Sequence, residues 1–130
     1  MPTAEYVEAW SVQILNEHCN QKKFELVGTH HMAETFRSEH DGLETAKSLE
    51  QHVDILKQHY VANPDFHLEV LNSSSEVDEA RGRATVYLFY QLTGLNNTAR
   101  EAVALLKWER KQNGWLCVKH TGLRGPAGFA

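Results

Sequence analysis

Gln112-Asn113-Gly114 separates two apolar runs, and no other feature restricts the fold of this chain as tightly. Asn and Gly both tolerate positive φ, so Asn-Gly between apolar segments marks a β-hairpin. Upstream, the run from Ala99 to Lys111 has the core Val103-Ala104-Leu105-Leu106-Lys107-Trp108; downstream lies Trp115-Leu116-Cys117-Val118-Lys119-His120. A further run, Arg83 to Leu92, is dense in β-branched and aromatic residues and closes on Thr93-Gly94. The stretch from Arg83 to Gly122 is therefore expected to form a meander of three strands.

The rest of the chain reads as material to cover one face of that sheet. Tyr6, Val7, Trp10, Ile14 and Leu15 recur at helical spacing, which predicts a helix over residues 3 to about 20, with Thr3 as its cap and Glu5 in its first turn. A shorter helical segment follows at about 21–31, weakened by Gly28. Thr35 to His40 reads as a short strand ended by Asp41-Gly42. Leu43 to Ala62 carries Leu49, Val53, Leu56 and Tyr60 on one helical stripe and stops at Asn63-Pro64, because the residue before proline is pushed out of the α region. Phe66, Leu68 and Val70 alternate with His67, Glu69 and Leu71 in a strand from Phe66 to Glu76, with Ser73-Ser74-Ser75 as its ragged end. Helices first and a mostly antiparallel sheet afterwards predict an α+β fold, about three N-terminal helices packed on one face of a curved antiparallel sheet.

Composition removes several function classes. A chain of 130 residues fits one domain, here 1–124, with 125–130 as a frayed tail. Its net charge of −4 argues against nucleic acid, which calls for a basic surface. No apolar run approaches the ~20 residues that span a bilayer. Met1-Pro2-Thr3-Ala4-Glu5 lacks the basic and apolar regions of a secretory leader, so the cytoplasm is the expected location. The two cysteines, Cys19 and Cys117, read as buried free thiols. His18, His30, His31, His52, His59 and His67 form no ligand pattern, and His-Glu-x-x-His is absent, so no metal is expected. With no phosphate loop and no nucleophile elbow, no cofactor is expected either.

The order of a long helix, Pro64-Asp65-Phe66, a strand, a long strand ending Thr93-Gly94 and a last hairpin into Gly114-Trp115 and His120 resembles the SnoaL-like proteins of the nuclear transport factor 2-like superfamily. The resemblance implies a sheet wrapped around the helices into a cone whose open end is an apolar pocket and whose convex face often makes a homodimer. Members include polyketide cyclases, dehydratases and steroid isomerases beside non-enzymatic binders. SnoaL-type cyclases place an acid just after the histidine of the last strand. Here Thr121-Gly122-Leu123-Arg124 follows His120, so that aldol chemistry is not carried over.

The candidate acid–base and hydrogen-bonding groups are His120, His40, Asp41 and Tyr6. His120 ends the Leu116–Val118 stripe, which would turn it into the cone, and a histidine's ordinary pKa near ~6.5 suits proton transfer. A core histidine bonded to backbone gives the same pattern. Glu39-His40-Asp41 lies at the expected pocket end; in steroid-isomerase-like relatives a carboxylate in about this region removes a proton. A polar turn before a helix reads the same way. Tyr6 and Trp10 are one helical turn apart, and a tyrosine can donate to a developing oxyanion, although core packing explains both. Trp10, Trp108, Tyr60 and Tyr90 are the expected apolar contacts to a ligand, or, if they fill the cone, its plug. The expected ligand is a small apolar, oxygenated metabolite undergoing dehydration, isomerisation or cyclisation. The alternative is a non-catalytic binding or interaction module with a filled cone. Because Tyr87 and Phe89 alternate with Val86, Leu88 and Tyr90, both faces of that strand are apolar, which predicts a homodimer through the outer sheet face.

Overall fold

The computed structural model describes residues 3–19, 32–40, 48–62, 64–95, 98–112 and 114–124. Its elements run α1 (Thr3–Cys19), β1 (Met32–His40), α2 (Leu49–Ala62), β2 (His67–Asp78), β3 (Arg83–Leu95), β4 (Thr98–Lys111) and β5 (Gly114–Arg124). The expected helix at 21–31, Asp41, the start of the helix placed at 43 and the tail at 125–130 lie outside the described residues. None of the described helices is long and apolar enough to cross a membrane.

The strands form one sheet in the order β1-β5-β4-β3-β2. The meander and β2 are antiparallel, as the alternation and the turn at Gln112-Asn113-Gly114 require. Gly114 has φ +105 and opens β5, with Lys111 as its first partner on β4. At the edge the sheet departs from a wholly antiparallel one, because β1 pairs parallel to β5. The cause is connectivity: β1 leads through α2 to β2 on the opposite edge, so no hairpin fixes its direction.

One face of the sheet carries the core. Trp108, Leu106 and Ala104 of β4 pair across with Ala84, Val86 and Leu88 of β3, and all six are buried. Helix α1 supplies Val7, Ser11, Ile14 and Leu15, spaced so that one stripe meets that face. Phe36 adds a fully buried ring from β1, and Leu68 comes in from β2.

Two bulges decide which residues face inward. In β2 the register shifts between Val70 and Asn72, so Leu71 is the extra residue. Past it, Ser73, Ser75 and Val77 take up the half-buried positions. The triple serine is therefore no ragged end but a continuation of the inner face of the strand. Glu8 of α1 explains why serine suits that face: its Oε1 accepts from Ser73 Oγ at 2.9 Å and its Oε2 from Ser75 Oγ at 2.6 Å. The second bulge, at Val118, matters more for the site.

Candidate functional site

His120 lies on the inner face, 6% exposed, but the sequence argument for that placement does not hold. An unbroken period of two would set His120 on the same side as Leu116 and Val118 and opposite Cys117. Instead β5 pairs Cys117 with Trp108 and His120 with Leu106, leaving Val118 as an inserted residue. A bulge reverses the side for everything beyond it. His120 thus shares a face with Cys117, Trp108 and Leu106, while Leu116 and Val118 are only half-buried.

On its other side His120 pairs with Ser38 of β1, which is almost fully buried. Ser38 was not singled out in the sequence. The available signal was the alternation Phe36, Arg37, Ser38, in which the arginine is exposed and its neighbours are buried. The imidazole therefore has an apolar neighbour in register on β4 and a hydroxyl-bearing one on β1. Nε2 of His120 is buried and makes no hydrogen bond of its own among the described residues, while the residue has interactions elsewhere.

The remaining candidates fall into separate groups. Tyr90 is on the same face as His120, 7% exposed, pairing with Val70 and Ala102. Tyr6 and Trp10 are half-buried on α1 and pack against the core. Trp108 is fully buried, and its indole N–H donates to Ser11 Oγ at 2.9 Å. That bond makes it a filled wall rather than an accessible ligand contact, since both its ring and its donor are already occupied. His40 pairs through its backbone with Gly122, two residues along β5 from His120. The side chains of His40 and Tyr60, and all of Asp41, lie outside the described residues.

Cys117 adds a thiol to this face without adding a nucleophile. Burial pushes its pKa up to about 12, against a smaller lowering by the Lys119 carbonyl, to which Sγ donates at 3.7 Å. A neutral buried thiol is inert at physiological pH.

Burial and side-chain size both change along β4. Trp108, Leu106 and Ala104 are all at 0%, whereas Ala102 reaches 8% beside Tyr90. Side chains also shrink in that direction, from indole to methyl. Gly122, which pairs with Ala104, lies toward the Tyr90–Ala102 end as well.

No protein-family model matches the sequence, and neither does any curated protein. Solved structures do match in fold. An NTF2-like protein with a cystatin-like fold from Novosphingobium aromaticivorans is 14% identical, with a TM-score of 0.73 over 96% of this chain and 84% of its own. The hexachlorocyclohexane dehydrochlorinase LinA-type3 of Novosphingobium barchaimii is 16% identical, with a TM-score of 0.72 over 95% of this chain and 88% of its own. The association domain of Caenorhabditis elegans CaMKII (C. elegans) is 17% identical, with a TM-score of 0.65 over 92% of this chain and 93% of its own. The chain therefore has the α+β, cystatin-like fold of the NTF2-like proteins.

Proposed function

We propose that the protein binds a small, largely apolar, oxygenated molecule on its inner face, with His120 as the group that hydrogen-bonds it or moves its proton. The observation that carries this reading is a buried imidazole on an apolar wall, with Ser38 in register beside it. An imidazole in such a place can accept a proton from carbon or oxygen and return it, with no cofactor. The Trp108 end contributes stability and shape. Dehydration, isomerisation or elimination fits one titratable group in an apolar setting, and the dehydrochlorinase with this fold supports that class. His40, Asp41 and Tyr6 are the candidates for a second polar group.

The test uses 2-naphthol and cyclohexenone as probes, with imidazole NMR resonances of histidine-labelled protein as readout. Binding should move the His120 resonances, and His120→Ala should weaken binding at least tenfold while urea unfolding stays cooperative. Unchanged affinity in the variant would refute the role of His120.

A second reading concerns the outer face and is compatible with the first. Phe89 is 44% exposed there, and Tyr87, Val103 and Leu105 beside it are half-buried. Helix α1 packs on the opposite, inner face, where Ser11 meets Trp108. We infer that this face is covered by a second copy of the chain, as a homodimer. The CaMKII association domain lends support, since its name records assembly on the same fold.

A further inference from the structure

The outer face is ordered in cross-strand rows, and their charges are arranged as a pair. Lys107 of β4 pairs with Lys119 of β5, which pairs with Arg37 of β1, giving a basic row across three adjacent strands. At the other end of the face, Glu101 of β4 pairs with Gln91 of β3, and Gln91 with Glu69 of β2, giving an acidic row. Between the two lie Tyr87 opposite Leu105 and Phe89 opposite Val103. Along β4 the sequence of outward residues is Glu101, Val103, Leu105, Lys107: acid, apolar, apolar, base. Lys107 and Glu101 are both exposed. At ~3.3 Å per residue they stand roughly 20 Å apart.

Resting on the reading of this face as a homodimer contact, we propose that Lys107 and Glu101, the members of the two rows that share β4, set the orientation of the two copies. The copies would be related by a two-fold axis that lies in the interface and runs across the strands. Such an axis keeps β4 over β4 but reverses strand direction. Val103 of each copy then meets Leu105 of the other, and Lys107 of each meets Glu101 of the other, twice by symmetry. A two-fold running along the strands would instead bring Lys107 onto Lys107 and Glu101 onto Glu101. Like charges at neighbouring positions repel, so the charge pattern admits the first arrangement and opposes the second. The apolar middle supplies the attraction, and the two Lys107–Glu101 pairs supply the register.

The experiment is sedimentation equilibrium of the full chain and its variants at two salt concentrations. Wild type should dimerise, and Phe89→Asp should abolish the dimer. Lys107→Glu and Glu101→Lys should each raise the dissociation constant about tenfold at low salt, because two attractive pairs become repulsive. The combined variant K107E/E101K should return to within about threefold of wild type, since the swap restores opposite charges. High salt should shrink all of these differences. A monomeric wild type, or a dimer indifferent to Phe89→Asp, would overturn the reading of the face and the proposal with it. A dimer that Phe89→Asp breaks but the double swap fails to restore would overturn the orientation alone.

Discussion

Removing the Ser11 hydroxyl should cost far more than its size suggests. Trp108 is fully buried, and its indole N–H donates to Ser11 Oγ at 2.9 Å. In Ser11→Ala that donor stays in the core without its acceptor, which costs about 1–3 kcal/mol. A 130-residue domain unfolds with an entropy of about 0.27 kcal/mol/K, so the melting temperature should fall by about 4–11 °C. The reverse deletion differs. In Trp108→Phe the Ser11 hydroxyl can turn to the Val7 carbonyl one helical turn back, so it leaves no orphan and the cost is cavity alone. The two substitutions should therefore be non-additive, the double variant being about 1 kcal/mol more stable than the sum predicts. Urea unfolding followed by circular dichroism measures all four proteins. A Ser11→Ala cost below about 0.5 kcal/mol, or an additive cycle, would refute the reasoning.

Glu8→Gln should destabilise by about 1–3 kcal/mol, because one charge-assisted bond to Ser73 or Ser75 becomes a neutral one and the other serine hydroxyl faces an NH2 that cannot accept; hydrogen exchange should show α1 and β2 loosening together. Gly114→Ala should cost about 1–2 kcal/mol from backbone strain at φ +105 alone, since nothing lies within 4 Å of an added Cβ. Gly82→Ala should cost more, because its added Cβ would meet Arg110 Cβ at 3.2 Å as well as φ +64; paired urea midpoints rank the two. The native Cys117 thiol, raised to about 12, keeps its proton while the unfolded thiol loses it near the ordinary value of 9.0. The folded state thus binds more protons in that window, so its stability is intact below it and falls as pH rises from 9 to 12, by up to about 1.4 kcal/mol per pH unit. Cys117→Ala should lack that part of the slope, and an equal slope in both proteins would contradict the assignment.

The sequence by itself determined the elements whose signal is local. Asn113-Gly114 between apolar runs placed the last hairpin, and the alternation of Val86, Leu88 and Tyr90 with Tyr87 and Phe89 assigned both faces of β3 correctly. The helical spacing of Val7, Ile14 and Leu15 marked the buried stripe of α1. Each of these depends on a period of two or 3.6 residues that the chain displays whatever its neighbours do. Tertiary structure decided the rest. A bulge is a single inserted residue with no composition of its own, so Val118 put His120 on the face of Cys117 instead of Leu116, and Leu71 turned Ser73 and Ser75 inward, without warning. Ser11 and Trp108 meet across 97 positions, and only the packed helix reveals why a serine sits in an apolar stripe. The parallel course of β1, and with it the placing of Ser38 beside His120, comes from its pairing with β5, a partner far along the chain. Periodicity records which residues turn inward along one element; which of them meet is fixed by register between elements, and register belongs to the sheet.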